Sequence, residues 1–367
     1  MVGDTKLSSR QFYIIVTLYC IGTSILITPA PLAAIAKEDA WLAAIAGVAI
    51  SLLITALIIA LGNMYPQLTL VQKCEKLLGK WLGKAVSLTF IFMSFFTGSE
   101  LLYIIGDFLT TQIMPETPAV AVHILFACLV LGALRLGLET VARTAEFLFP
   151  WFLFLFILLV LFITPLLDFH NVKPILENGW HPIMSGAVRF ASVFSMPTIV
   201  LLMIFPVSVH RPHNASKAFY IGIFIAGLLM IIVVSLTILV LGADITERQM
   251  YPSYNLAKKI NIGNFVKRIE AVMAFMWFIT IFIKMTFYIY AAVVGLAQTL
   301  QVKDYRFMLH PLGIYMVISS IVIHPNVVHS IEYDKEAWMP FIATFAIMLP
   351  IVLLGVYAFR RKKLHSR

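Results

Sequence analysis

The stretch Tyr19-Cys20-Ile21-Gly22-Thr23-Ser24-Ile25-Leu26-Ile27-Thr28-Pro29 lies inside an apolar run over 11–36. Glycine supplies backbone freedom, and two small hydroxyl residues offer hydrogen bonds that compete with the helical ladder. The run therefore predicts a membrane-length helix interrupted near its midpoint. A second interruption, Ser195-Met196-Pro197, falls in the middle of the run over 184–209, with Pro206 further on. Proline removes an N–H and clashes with the preceding turn, so this helix also breaks. Working outward from the two breaks, the other apolar runs cover 41–63, 82–112, 118–137, 143–167, 216–242, 269–298, 307–324 and 338–359. A bilayer core of about 30 Å needs about 20 residues per helix, which gives about ten spans. The second break is then in the first span of the second five. Breaks in corresponding helices of two halves point to an inverted-repeat transporter architecture with a ligand site at the breaks.

Composition agrees with this reading. Of 367 residues, 61% are hydrophobic and 12% charged, against about 45–50% and about 25% in soluble domains. The expected class is an all-α polytopic membrane protein. It forms one membrane domain over 1–367, with one repeat over about 11–167, a second over about 184–359 and a basic tail at 360–367. The net charge of +9 is not interleaved with stacking aromatics, so no nucleic-acid partner is implied. It follows membrane sidedness instead. Of the 27 Lys and Arg residues, 17 fall on the side of the N-terminus and 8 on the other side, leaving Arg189 and Lys284 within spans. The positive-inside rule then places both termini in the cytoplasm. The first run reads as one of a set of spans rather than as a cleaved signal. Leu68–Leu78 is too short and too charged to span, and reads as an amphipathic surface helix. Cys20, Cys74 and Cys128 fit neither a disulfide framework nor a metal site.

Four ionisable residues lie within spans: Glu100, Asp107, Arg189 and Lys284. A charge at mid-membrane costs roughly 2.5–3.5 kcal/mol on insertion scales, so each should face the bundle and find a partner. At about 1.5 Å per residue, Glu100 and Lys284 share a depth of about 20 Å from the outer face, and Asp107 and Arg189 one of about 8 Å. Two charge pairs, Glu100–Lys284 and Asp107–Arg189, are expected. The first reads equally as a static ion pair or as a proton-sensitive or ligand-contacting one. The second reads as part of an outer gate or as two groups snorkelling to the interface. At the breaks, N–H groups near Ser24 and Ile25 can hold a carboxylate, and carbonyls near Ser195 an amine or hydroxyl. No HExxH, GxSxG or P-loop pattern points to an enzyme, and no cofactor is implied.

The order Leu7-Ser8-Ser9-Arg10-Gln11, Gly22-Thr23-Ser24-Ile25-Leu26 and Pro29 resembles the opening of the B subunits of spore germinant receptors. The chain length, ten spans, Glu100 in span three and a short basic tail fit the same family. The resemblance implies a LeuT-like fold within the amino acid–polyamine–organocation transporter superfamily. It implies residence in the spore inner membrane, A and C subunits as partners, and recognition of a nutrient germinant, an amino acid. Carried over by position, Gly22 is the unwound glycine of span one, with Thr23, Ser24 and Ile25 beside it. Phe96 and Glu100 line or support the pocket, and Thr286 and Tyr290 line it from span eight. Ser195, Met196 and Pro197 stand where many LeuT-like proteins have a glycine-rich break. The alternative function is a secondary active amino acid transporter, proton-coupled through Glu100 or Lys284.

Overall fold

Ser8 starts the first helix with a capping box: its hydroxyl accepts from the Gln11 N–H, and the Gln11 side chain accepts from the Ser8 N–H. Helix α1, Ser9–Ile21, ends at Gly22. The chain resumes as α2, Ser24–Ile27, and α3, Pro29–Ala36, which complete span one. The computed structural model describes residues 6–210, 212–260 and 269–365. Arg211, Lys267, Arg268 and Arg367 of the charge count lie outside the described residues.

Span two is α4, Ala40–Asn63. The short helix α5, Leu70–Leu78, precedes span three, α6, Lys80–Phe108. Spans four and five are α7, Ala119–Leu136, and α8, Leu138–Ile163. Gly137, at φ +100°, makes the one-residue turn between them. Span six begins as α9, Trp180–Phe194, and continues past Ser195 as a 3-10 helix, Met196–Met203. Span seven is α10, Pro212–Leu241, followed by two short helices, α11, Ala243–Arg248, and α12, Pro252–Lys258. Span eight is α13, Glu270–Thr299, and span nine is α14, Arg306–Val322. Span ten runs through α15, Val327–Glu332, α16, Trp338–Ala343, and α17, Leu349–His365, joined by π-helical turns.

Among the described residues, nine helices are long and apolar enough to cross a membrane. Arg306–Val322 is a shorter apolar helix, which agrees with the short ninth run in the sequence. Span one packs along span seven and span two along span six. Exchanging the two halves of the chain turns one of these contacts into the other. The contacts of span three with span eight and of span four with span nine map onto themselves under the same exchange. This is the packing of a 5+5 inverted repeat. It brings both broken helices to the centre of the bundle, where 78% of the span-one window and 94% of the span-six window are buried.

The start of span ten corrects the sequence boundary. A start at 338 leaves Glu332-Tyr333-Asp334-Lys335-Glu336, four of whose five residues are charged, in the preceding outer segment. The helix begins at Val327, so these residues form its opening turns. Helix α5 does precede span three, but it is more than a surface helix. Leu70, Val71, Lys73, Cys74 and Leu77 are buried against the end of the bundle.

Candidate functional site

The two breaks meet around Lys284. Gly22 adopts φ +22° and ψ −114°, a conformation that side chains rarely take. A Cβ there would lie 2.3 Å from Lys284 Cδ and 2.8 Å from the Tyr19 carbonyl oxygen. The lysine stem runs directly over the glycine, and only glycine leaves room for it. Its Nζ donates to Thr23 Oγ1 at 3.1 Å and to the Val193 carbonyl at 3.3 Å. One turn earlier on span eight, Thr280 Oγ1 donates to the Gly22 carbonyl at 3.1 Å. Ser24 Oγ donates to the carbonyls of Cys20 at 3.0 Å and Val193 at 3.5 Å. Span eight thus holds the span-one break from one side, while the last carbonyls of α9 face it from the other.

On span six, Ser195 donates its N–H to the Ala191 carbonyl at 3.0 Å, and Thr198 Oγ1 donates to the Ser195 carbonyl at 2.6 Å. The Pro197 carbonyl is taken by the Tyr19 hydroxyl at 2.9 Å. Tyr19 also packs on Phe287 and Tyr288, with ring centroids 6.4 and 5.8 Å apart. All three rings are buried. Beyond them, towards the end that carries the N-terminus, opens a cavity of about 680 Å³. Its lining includes Gln72, Tyr290, Gln298, Lys303 and Arg306.

The expected charge pairs are not the observed ones. Arg189 pairs with Asp334, while Asp107 Oδ2 accepts from the Tyr251 hydroxyl at 2.6 Å. Asp334 lies in the opening turns of span ten, which begins well before residue 338. Neither Glu100 nor Lys284 takes part in any of the four ion pairs among the described residues. Glu100 is 8% exposed, and its Oε2 has no partner among the described residues. Thr97 Oγ1 and Tyr333 Oη near it are likewise buried and unpartnered. Buried polar groups are normally hydrogen-bonded, so such a concentration calls for an explanation.

The span-eight lining also differs from expectation. Lys284 and Thr280 face the break, whereas Thr286 turns its hydroxyl back to the Phe282 carbonyl at 2.7 Å. Tyr290 faces the inner cavity and the Tyr305 ring, not the break. Phe96 stacks with Phe92 and meets Tyr333 and Phe341 of span ten. Gly22, Thr23, Ser24, Ser195 and Pro197 do converge at the breaks, and Ile25 and Met196 are buried beside them. Cys20, Cys74 and Cys128 are free thiols.

Lys73 carries a signal the sequence did not single out. Its Nζ donates to the Leu61 and Gly62 carbonyls at 3.2 and 2.6 Å, capping the end of span two with a fully buried ammonium. Burial lowers its pKa to about 7, with the neighbouring Cys74 opposing. Gly62 in turn presses on Phe205 and Leu202 at the end of span six. That end is tied to the N-terminal segment as well, because the Leu7 N–H donates to the Ser208 carbonyl and the His210 N–H to the Leu7 carbonyl.

Two broken helices crossing at the centre of a 5+5 bundle define an integral membrane protein of LeuT fold. The fold is shared with MHP1, a nucleobase-cation-symport-1 family transporter solved in a closed conformation with bromovinylhydantoin bound. The TM-score is 0.70 at 12% identity, over 98% of this chain and 80% of that one. The family model described as "Spore germination protein" matches residues 6–328, and the chain belongs to this family. It is 28% identical over 364 residues to spore germination protein KB of Bacillus subtilis, covering 98% of this chain and 96% of that protein. Spore germination protein YndE of the same organism is 23% identical, over 98% of each chain.

Proposed function

We propose that the chain is the membrane-embedded recognition subunit of a spore germinant receptor. A small nutrient, an amino acid, binds where the breaks of spans one and six face Glu100. Binding shifts the bundle between two arrangements and signals to partner A and C subunits in the spore inner membrane, with both termini cytoplasmic. The observation that carries this reading is the Lys284 bridge from Thr23 at the span-one break to the Val193 carbonyl at the span-six break, in a bundle core where Glu100 Oε2, Thr97 Oγ1 and Tyr333 Oη are buried with no partner among the described residues. Convergent unsatisfied groups at paired helix breaks are what a polar ligand requires. A ligand can move the equilibrium only by the difference in its affinity for the two states.

The test is the nutrient dose–response of spores carrying Glu100→Gln, which keeps the volume of a side chain whose Oε2 has no partner among the described residues. The expected result is loss of response with the receptor still assembled, and an unchanged dose–response would reject the pocket. Transport is the second reading, favoured by the likeness to a transporter over 98% of the chain. Robust counterflow of labelled amino acid by the chain alone in proteoliposomes would establish it and remove the pure sensor.

A further inference from the structure

We propose that the Lys284 ammonium is a built-in monovalent cation. It occupies an oxygen-lined site at the breaks that would otherwise take a small dissolved cation, so the wild-type site needs none. The Lys284 side chain is 2% exposed, and its Nζ donates to two neutral oxygens, Thr23 Oγ1 and the Val193 carbonyl, while lying 5.9 Å from the centroid of the Tyr19 ring. Val193 is in the last turn of α9, whose final carbonyls have no helical partner and carry the negative end of the helix dipole. A helix C-terminus and unwound backbone at mid-membrane are the chemistry that holds a hard cation in broken-helix proteins. Hydroxyl and carbonyl oxygens suit such ions.

Here the cation is tethered. The stem crosses Gly22 so closely that a single added carbon would overlap it, and Thr280 fixes the Gly22 carbonyl against the same helix. A tethered charge cannot be lost by dilution, and a cation gradient cannot load or unload it. Span eight itself becomes the element whose displacement empties the site.

The experiment uses the purified full-length chain in detergent and no nutrient, so its outcome is independent of whether the ligand reading holds. Thermal unfolding is followed in sodium chloride, ethylammonium chloride and choline chloride at matched ionic strength. Choline is too bulky to serve as the substitute cation. The wild-type Tm is expected to be the same in all three salts. Lys284→Ala is expected to have a lower Tm in choline and to regain it in ethylammonium or sodium, rising with the logarithm of concentration. Should the variant be too unstable to purify in choline, the yield of folded protein with ethylammonium present throughout gives the same answer. Stabilisation of the wild type by sodium over choline would overturn the proposal. So would a Lys284→Ala protein whose Tm or yield is indifferent to both small cations.

Discussion

Adding one carbon at Gly22 tests the geometry of the breaks more directly than deleting a charge. In Gly22→Ala the new Cβ would lie 2.3 Å from Lys284 Cδ and 2.8 Å from the Tyr19 carbonyl oxygen. The lysine cannot swing aside freely, because its Nζ is held by Thr23 and Val193. Overpacking of this kind costs about 1–3 kcal/mol. The backbone at φ +22° and ψ −114° adds the strain of a sparsely populated conformation, roughly 1–3 kcal/mol. The single substitution should therefore destabilise the protein by about 2–6 kcal/mol. In a Lys284→Ala background the Cδ is gone, while the backbone strain and the Tyr19 contact remain. The cost of Gly22→Ala should then fall by about 1–2 kcal/mol, the part due to the lysine stem. The assay is equilibrium unfolding in mixed micelles for wild type, both single variants and the double variant. Contacting residues give a coupling energy above about 0.5 kcal/mol, and independent ones do not. Equal costs of Gly22→Ala in the two backgrounds would refute the placement of Lys284 over the break.

Two further predictions concern the ends of the bundle. Arg189→Met and Asp334→Asn should each destabilise by about 1–3 kcal/mol, with the double variant costing less than their sum; Arg189→Met and Asp107→Asn should simply add. Strong coupling of Arg189 to Asp107 instead would restore the pairing expected from depth. For Lys73, burial holds the folded-state pKa at about 7, below its ordinary 10.5. The unfolded chain then binds more protons between these values, so this group makes stability rise with pH from about 7 towards 10.5. Lys73→Met should flatten that rise in unfolding measured at several pH values. An unchanged slope would mean that the lysine is not buried.

The breaks were legible in the sequence because they depend on local chemistry. Gly22-Thr23-Ser24 and Ser195-Met196-Pro197 weaken a helix wherever they occur, and their positions in the first and sixth spans carry the fold. The partner of Arg189 was not legible in the same way. Asp334 sits in a charged segment that hydropathy assigns to a loop, yet the helix extends through it from Val327. Flanking Tyr333 and Trp338 were the available signal, since aromatic residues favour the membrane interface. The Trp338 indole N–H in fact donates to the Ser192 carbonyl of span six at 3.2 Å.

The face of span eight was hidden for a different reason. An amphipathic helix announces its buried stripe by periodicity, but a helix buried all round has no stripe to read. Along α13 an unbroken run from Ile279 to Gly295 is buried, so Thr286 and Tyr290 looked as suitable as Thr280 and Lys284. The discriminating fact is steric and non-local. Gly22 lacks the Cβ that would block a long side chain, and of the polar residues on span eight Lys284 is the one whose stem crosses it. A glycine in a break therefore marks more than unwinding. It marks the close approach of something else, and in this chain that something is the lysine.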